Sequence, residues 1–309
     1  MFITGASGFL GTNLVRRLAG EGSRLFVYLR PGSLLRCEAA ADATDTAGTI
    51  RVLRGDVQDR TATHRAIQEA EPDVIYHLAS TSFNPPLADP SDHLRVIALG
   101  TSNVLSAVPD GASVRIVYTG SGAEYGSGSQ LTEASPLVPA TDLGVAKAAA
   151  TLLMQTDARM HQHHTVSLRL FTPYGPWEQA KRLIPFAILS ALRNEDVRIS
   201  NGQQRRDYVF VDDVVDALLL AGSKPVPPGS VYNICSGQST SVLEVVQAIL
   251  HLMSDPVHVA VGALPTRPDE IWECSGSNQA ARTDLGWQPR VSQSEGLMKT
   301  ITWWREHRA

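Results

Sequence analysis

Three glycines, Gly5, Gly8 and Gly11, stand between a short apolar run and a helical pattern at the start of the chain. Gly5 permits a tight strand-to-helix turn, Gly8 lets the backbone approach a pyrophosphate, and Gly11 lets the helix pack closely. The N–H groups at the start of such a helix face the anion. The pattern predicts a dinucleotide-binding loop, and a purely structural turn is the alternative. The loop residues expected to contact the cofactor are Gly5, Ser7, Gly8, Phe9, Leu10 and Gly11.

Apolar, β-rich runs alternate with helical patterns after this loop. Beyond a short first strand before Gly5, the runs that predict strands are Leu25–Leu29, Ile50–Leu53, Val74–Leu78, Val114–Tyr118 and Val166–Leu170. The patterns that predict helices are Thr61–Ala70, Asp92–Ala107 and Gly144–Met160. Near-continuous apolar strands separated by helices indicate a parallel sheet covered on both faces. We therefore expect a doubly wound, Rossmann-type α/β fold with ligands at the carboxyl ends of its strands.

The regular alternation weakens after residue 170, where prolines mark many of the turns. We therefore expect two parts. Residues 1–170 would form a dinucleotide-binding domain and residues 171–309 a smaller α/β substrate-binding lobe, with the chain crossing back between them. Helices are predicted in the second part over Ser241–Leu250 and Ser292–Arg305.

The composition excludes several classes of protein. With 43% hydrophobic and 19% charged residues, the chain can bury a large core. A formal net charge of -4 provides no general attraction to nucleic acid or to an anionic membrane. No apolar run reaches the roughly 18 residues of a membrane span, and no basic segment precedes an apolar leader. Three cysteines at positions 37, 235 and 274 lack metal-site spacing, so we expect reduced thiols in a cytoplasmic protein.

Histidines are the remaining candidates for a metal site. His161, His163 and His164 follow a polar helix end, with no carboxylate or cysteine partner apparent in the sequence. They predict a solvated helix terminus and no metal site. His77 ends an apolar strand, where a hydrogen-bonded structural histidine is expected.

The residue after the second predicted strand bears on the choice of cofactor. An acidic residue at this point binds the ribose 2′-hydroxyl of NAD, whereas arginine neutralises the 2′-phosphate of NADP. Arg30 occupies the position, with Ser33 and Arg36 close behind as further phosphate partners. Asp56 and Val57 follow the third strand, where they could meet the adenine. The sequence favours NADP(H) over NAD(H), and a solvated Arg30 is the alternative.

Several further motifs agree with one family. They are Gly55-Asp56, Pro72 to Ala79, Gly120 to Gly126, Arg169 to Pro176, Arg206 to Asp213, Tyr232 to Gly237 and Leu285 to Trp287. Together with the glycine loop, they resemble the extended short-chain dehydrogenases/reductases that act as nucleotide-sugar epimerases, dehydratases and reductases. The resemblance implies a nicotinamide cofactor in the first part and a nucleotide-diphosphate sugar in the second. It also implies a homodimer built on the Asp92–Ala107 and Lys147-bearing helices.

The resemblance assigns catalysis to a Ser or Thr and to a Tyr-x-x-x-Lys pair on one helix face, where residues four apart meet one substrate. Ser121 fits the hydroxyl position, and Lys147 fits the lysine that holds the nicotinamide ribose and lowers the tyrosine pKa. The tyrosine is absent, because Leu143 stands four residues before Lys147. Ile97 likewise replaces an asparagine of the family pattern. The expected cofactor apparatus is present while the proton-transfer apparatus is depleted.

Three readings of this gap stay open. Another group could act as acid or base, with Glu124, Tyr125 and Tyr174 as candidates beside Ser121. Dehydratases of the group carry an acidic pair after the Ser or Thr, but that register holds Gly122 and Ala123 here, and Glu124 comes one place later. Alternatively, an activated ketone could be reduced with Ser121 or water as proton donor. The third reading is a cofactor-binding or regulatory protein without redox chemistry.

The resemblance also implies residues around the cofactor and the substrate. On the cofactor side these are Leu78, Ala79 and Lys147. On the substrate side they are Ser80, Ser82, Thr172, Arg206 and Arg267, the arginines suiting a pyrophosphate through bidentate guanidinium geometry. The overall prediction is an NADP(H)-dependent oxidoreductase that reduces a 4-keto nucleotide sugar. The enzymatic alternative is an epimerase or dehydratase with tightly bound NAD(P) and a non-standard acid/base.

Overall fold

The fold is built around a seven-stranded parallel sheet, seen in a computed structural model that describes residues 1–36, 50–81 and 89–307. From edge to edge its strands are β12 (Ser230–Ile234), β7 (His164–Leu170), β5 (Arg115–Ser121), β4 (Val74–His77), β1 (Phe2–Thr4), β2 (Leu25–Leu29) and β3 (Ile50–Arg54). Every neighbouring pair is parallel. The predicted strands are confirmed, although β5 begins one residue later than predicted and continues to Ser121.

Helices cover both faces of this sheet, which confirms the doubly wound α/β class. The helices are α1 (Phe9–Gly20), α2 (Arg60–Ala70), α3 (Ser91–His93), α4 (Gly100–Leu105), α5 (Asp142–Met160), α6 (Leu183–Leu192), α7 (Val211–Ser223), α8 (Val242–Leu252) and α9 (Gln293–Glu306). Buried side chains of α1 and α7 form one core on one face of the sheet. Those of α2, α4 and α5 form a second core on the other face.

The predicted Asp92–Ala107 helix is divided into three segments. A π-helical stretch, Leu94–Leu99, lies between α3 and α4. The Thr101 hydroxyl donates to the Ile97 carbonyl at 2.6 Å just after this stretch. π-Helical turns are frequent at functional sites. A Thr hydroxyl that donates to the carbonyl four residues earlier often bends the helix.

The order of the strands places the ligand crevice. Strand β1 lies between β4 and β2, and the chain proceeds outward from it in opposite directions. In open parallel sheets ligands bind beyond the carboxyl ends of the strands at such a reversal. The glycine loop follows β1, Leu78 to Ser80 follow β4, and Ser121 ends β5. These predicted site residues therefore share one edge of the sheet.

Smaller sheets build the second part of the chain. One has the order β13 (Thr240–Ser241), β10 (Arg205–Arg206), β15 (Glu273–Gly276) and β6 (Gly128–Leu131). Two others pair β11 (Tyr208–Phe210) with β8 (Thr172–Tyr174) and β14 (Val259–Ala260) with β9 (Val197–Arg198). Their core is filled by α6, α8 and α9. Strand β12 lies at the edge of the large sheet while β6 joins the small one, so ranges 1–170 and 171–309 each contribute to the other's sheet.

The histidines after α5 correct one prediction. His163 is only 2% exposed, and its Nδ1 lies 2.7 Å from Asp157 Oδ2. His161 Nδ1 lies 3.0 Å from Asp110 Oδ1. The prediction of a solvated position was wrong for His163, whereas the His161 side chain is exposed as predicted. The prediction that carboxylate partners are lacking was wrong for both residues, because folding brings carboxylates from α5 and from a distant loop to them. Within the described ranges no cluster of three or more potential ligands could hold a metal ion.

Some predictions lie outside the described residues, namely those for Ser82, for Cys37 and for an exposed loop over 39–48. Cys235 and Cys274 are buried free thiols. Among the described helices none has the length and hydropathy required to cross a membrane.

Candidate active site

The glycine loop has the geometry of a phosphate cradle. Gly5 has a φ of +67°, and a Cβ there would lie 2.6 Å from the Leu78 carbonyl carbon. The Gly8 N–H donates to the Gly5 carbonyl at 3.0 Å, and a Cβ on Gly11 would collide with that same carbonyl. Gly8 is the N-cap of α1, and no described side chain caps this end. The open helix N-terminus and close backbone packing fit a dinucleotide pyrophosphate.

The buried His77 joins the carboxyl ends of β1 and β4 through hydrogen bonds. Thr101 donates its hydroxyl proton to Ile97, so it accepts from His77 Nε2 at 3.1 Å. Nδ1 of His77 therefore accepts from the Thr4 hydroxyl at 2.8 Å, and Thr4 in turn accepts from the Ala79 N–H at 3.1 Å. Burial lowers the pKa of His77 to about 3, so the ring is neutral. This confirms the structural role expected for His77 and links the ends of β1 and β4.

Within the described residues 30–36, no carboxylate follows the carboxyl end of β2. Arg30 is exposed there, and Ser33 and Arg36 follow in the same loop. Arg54 holds this loop by donating from Nη1 to the carbonyls of Arg30 at 3.3 Å and Ser33 at 2.5 Å. Arg30 and Arg54 thus both lie at the carboxyl edge of the sheet, at the strand end where the ribose of a dinucleotide is expected.

After β3, the next predicted cofactor residues form a short turn. Asp56 Oδ1 accepts from the Gln58 N–H at 2.9 Å. Val57 is buried, and its side chain would be 2.9 Å from a Cβ on Gly100. The Asp56 carboxylate therefore orders its own turn at the cofactor edge.

Ser121 starts a 3₁₀ turn, Gly122–Glu124, through a reciprocal capping box. Its Oγ accepts from the Ala123 N–H at 3.1 Å, while its own N–H donates to Glu124 Oε1 at 2.9 Å. Glu124 is fully buried, and it also accepts from Thr151 at 3.1 Å and from Arg169 Nε at 2.7 Å. Because both carboxylate oxygens are engaged, Glu124 holds the turn and has no free position for a substrate.

Helix α5 presents Lys147 to the end of β5. Its N-cap is Thr141, whose hydroxyl accepts from the Gly144 N–H at 3.1 Å. Lys147 Nζ donates to the Thr119 carbonyl at 2.6 Å and lies 5.1 Å from the centroid of the Tyr118 ring. Burial lowers the pKa of Lys147 to about 8. One turn earlier, Leu143 is half-buried and packs against the α2–α4–α5 core.

Two tyrosines proposed as substitutes for the missing phenol are held inside the protein. The Tyr125 hydroxyl donates to Asn233 Oδ1 and accepts from Arg169 Nη1, both at 2.8 Å. The Tyr174 hydroxyl donates to the Gln293 carbonyl at 3.2 Å. Burial raises the pKa of Tyr125 to about 12 and that of Tyr174 further. Neither geometry suits proton exchange with a substrate.

Arginines from two segments meet on the substrate side. Arg206 on β10 and Arg267 both place Nη2 near Glu270 Oε1, at 2.7 Å and 3.4 Å. Glu270 therefore brings the two predicted pyrophosphate ligands together. Thr172 begins β8, which pairs with β11, and its N–H donates to the Asp207 carbonyl at 2.9 Å. Ser80 is exposed after β4, with its hydroxyl donating to the Thr81 carbonyl at 3.1 Å.

Two polar residues, Arg169 and Glu178, have interactions that were not predicted from the sequence. Arg169 joins β7 to the Ser121 turn through Glu124. Glu178 is buried, and its Oε1 lies 3.4 Å from Arg182 Nε. The spacing of four between Glu178 and Arg182 is a signal for a pair, but burial of the glutamate follows only from tertiary packing.

The comparisons with known proteins cover nearly the whole chain. The model of the NAD dependent epimerase/dehydratase family matches residues 1–235. The chain is 30% identical to the UDP-glucose 4-epimerase of Mycolicibacterium smegmatis, over 98% of this chain and 97% of that protein. It is 29% identical to the dTDP-glucose 4,6-dehydratase of Streptomyces niveus, over 100% of this chain and 94% of the relative.

A solved structure agrees with these relatives. MoeE5 in complex with UDP-glucose and NAD superposes with a TM-score of 0.87 at 28% identity, covering 100% of this chain and 99% of MoeE5. The extended short-chain dehydrogenase/reductase resemblance is thus confirmed. The chain belongs to the NAD-dependent epimerase/dehydratase family, and it is an enzyme.

Proposed function

We propose that the enzyme is a nucleotide-sugar oxidoreductase whose reaction is the reduction of a 4-keto sugar. The observation that carries the proposal is the orientation of Ser121. Its Oγ accepts from the Ala123 N–H, and its own hydroxyl proton has no acceptor among the described residues. A hydroxyl held in this way can donate to a substrate carbonyl oxygen at the carboxyl edge of the sheet. A bound nicotinamide supplies the hydride chemistry.

The arginine pair on the second part supports a nucleotide-diphosphate substrate. Arg206 and Arg267 share Glu270, which holds both guanidinium groups in place before a ligand arrives. Paired guanidinium groups suit the two phosphates of a nucleoside diphosphate. The complex of MoeE5 with UDP-glucose, on a related chain of the same fold, agrees with this substrate class.

An epimerase is the second candidate, favoured by the relative from Mycolicibacterium smegmatis. Epimerisation at a hydroxyl-bearing carbon also begins with transfer of one hydride and one proton. Dehydration needs additional acid/base groups, and Gly122 and Ala123 occupy the corresponding turn in this chain. The Ser121 turn thus favours reduction or epimerisation over dehydration.

Turnover of nucleotide sugars separates these candidates. Purified protein is mixed with NADPH or NADH and with UDP- and dTDP-linked 4-keto sugars, and the cofactor absorbance and product mass are followed. We expect stoichiometric oxidation of the reduced cofactor and a product two hydrogens heavier. Conversion of a UDP- or dTDP-hexose without net cofactor oxidation would instead identify an epimerase. Tight cofactor binding without turnover of any sugar would contradict both candidates and favour the regulatory alternative.

We propose further that NADP(H) is preferred within this NAD-dependent family. Arg30 is exposed at the end of β2, where a carboxylate selective for NAD is absent, and Arg54 orders the same loop. We expect Arg30→Ala to weaken NADPH binding about tenfold and NADH binding little, because a charge-assisted contact to the 2′-phosphate is lost. Dissociation constants from cofactor fluorescence measure this. The control is Arg24→Ala at the opposite end of β2, and equal NADPH and NADH affinities in the wild type would contradict the preference.

We propose a homodimer formed through the outer face of α5. Val145, Leu152 and Met160 recur along one side of this helix and are 44%, 52% and 72% exposed. Leu94 and Leu99 of the packed π-helical stretch are also exposed. A two-fold contact would cover both sets in each copy. The free thiols Cys235 and Cys274 support the cytoplasm as the proposed location.

A further inference from the structure

The residue that moves the proton is the open question of this site. Leu143 has no exchangeable side-chain proton, and it packs against apolar neighbours. Glu124 is saturated by the Ser121 N–H, Thr151 and Arg169. The Tyr125 hydroxyl is held between Asn233 and Arg169. These contacts remove Glu124 and Tyr125 as carriers of the proton.

Lys147 differs from these groups because its hydrogen-bonding capacity is largely unused. An ammonium has three N–H donors, and within the described part of the chain only the Thr119 carbonyl accepts from Nζ. Strand β4 ends at the register pair His77–Tyr118, so the Thr119 carbonyl lies just beyond the last rung of the β4–β5 ladder. Nζ therefore contacts the backbone of β5 two residues before Ser121, near the carboxyl end of this strand.

The surroundings of Lys147 disfavour its charged form. From β4 it faces His77, which is neutral, and from β5 it faces the Tyr118 ring, whose hydroxyl has no partner among the described residues. Glu124 is the nearest carboxylate, and its charge is paired with Arg169. Burial therefore prevails over ion pairing, and the pKa of Lys147 falls to about 8. Amine and ammonium are both accessible near neutral pH.

We propose that Lys147 itself exchanges the proton that accompanies hydride transfer, in place of the tyrosine expected at position 143. The inference rests on the proposed function. In reduction, the carbonyl carbon gains a hydride from the reduced nicotinamide as the C=O π bond breaks. The carbonyl oxygen takes a proton from the Lys147 ammonium, whose N–H bond breaks. The ketone becomes an alcohol, the nicotinamide is oxidised, and water reprotonates the amine. Ser121 aligns the oxygen.

Titration of the lysines tests this without substrate. The chain contains only Lys147, Lys181, Lys224 and Lys299, so ¹³C labelling of lysine Cε yields four resonances, assigned with single Lys→Arg variants. We expect the Lys147 resonance to titrate with a midpoint near 8, well below the ordinary lysine value, and below that of Lys299, whose pKa is raised by its contact with Glu295. A Lys147 midpoint at the ordinary value would overturn the inference.

Kinetics of the full chain complete the test. We expect kcat to follow the Lys147 titration and Lys147→Arg to lower kcat about 100-fold or more, because arginine does not release its proton. Cofactor affinity measured by fluorescence should change much less than kcat. Lys224→Arg, at an exposed position outside the site, is the matched control. A parallel loss of cofactor affinity and kcat would reduce Lys147 to a cofactor anchor and overturn the inference.

Leu143→Tyr provides an independent variant. It should leave cofactor affinity nearly unchanged and move the inflection of kcat with pH, because a phenol then shares the proton with Lys147. An unchanged pH profile with the phenol installed would count against proton exchange at this position. Absence of turnover with every nucleotide sugar overturns the proposed function and the inference with it. Turnover with an ordinary Lys147 titration overturns the inference alone.

Discussion

At the scale of single residues, Glu178 shows how a local turn can bury a charge. Trp177 adopts a left-handed backbone with a φ of +71°, and the next residue points inward. Glu178 Oε2 is buried and has no hydrogen-bond partner within the described ranges, while Oε1 lies 3.4 Å from Arg182 Nε. Burial raises the pKa of Glu178 to about 7, and Arg182 together with a backbone hydrogen bond at Gly175 offsets only part of that effect.

Relative to the wild type, we expect Glu178→Gln to have a higher free energy of unfolding at pH 8 than it has at pH 5. The folded wild type keeps the carboxyl protonated to about pH 7, whereas the unfolded chain ionises near 4.5. The free energy of unfolding contributed by this group therefore falls as pH rises through that window. Between pH 5 and pH 8 this group should lower the free energy of unfolding of the wild type by about 2 kcal/mol, and the variant should lack that decrease. Urea unfolding at both pH values measures it, with exposed Glu195→Gln as control, and parallel pH dependence in wild type and variant would refute it.

At the scale of elements, the Ser121 turn depends on an ion pair between Glu124, in the 3₁₀ turn after β5, and Arg169 on β7. Glu124 and Arg169 are both buried, and Thr151 adds a hydrogen bond from α5. Removing one partner of a buried pair leaves an uncompensated charge, whereas removing both exchanges polar for apolar contacts. The pair therefore holds three elements in register around Ser121 while its net contribution to stability stays small.

We expect Glu124→Leu alone to lower the free energy of unfolding by about 3–5 kcal/mol, because Arg169 remains charged and buried. Adding Arg169→Met should restore much of that loss. Urea denaturation of the wild type, both single variants and the double variant forms the thermodynamic cycle. Additive losses would show that the two side chains do not interact as a buried pair.

At the scale of the whole molecule, the exposed face of α5 carries the proposed assembly. We expect Leu152→Glu and Met160→Glu to convert a dimer into monomers, because each places a charge in an apolar contact made twice by symmetry. Sedimentation velocity measures the mass. Met298→Glu changes another exposed apolar side chain, on α9, and serves as control. A monomeric wild type at micromolar concentration would contradict the homodimer.

The fold was largely predictable because its signals are local. Strand β2 is buried throughout, and its continuous apolar run indicates a central parallel strand. Gly5 needs a positive φ, and Gly11 needs to lack a Cβ, requirements that are visible in the glycine spacing itself. The pairing of β12 with β7 in the large sheet was harder to predict, because the sequence of a five-residue strand does not indicate which strand it pairs with.

The dinucleotide loop and the doubly wound class follow from the sequence alone, because backbone sterics and hydrophobic periodicity act over a few residues, and Leu143 shows the missing phenol directly. Which charges meet follows from the tertiary structure. It paired Glu124 with Arg169, joined Arg206 to Arg267 through Glu270, and placed Lys147 on the Thr119 carbonyl. Apart from Arg267 and Glu270, which are three residues apart, these partners lie far apart along the chain. Burial by packing sets the strength of their interactions and the pKa of Lys147.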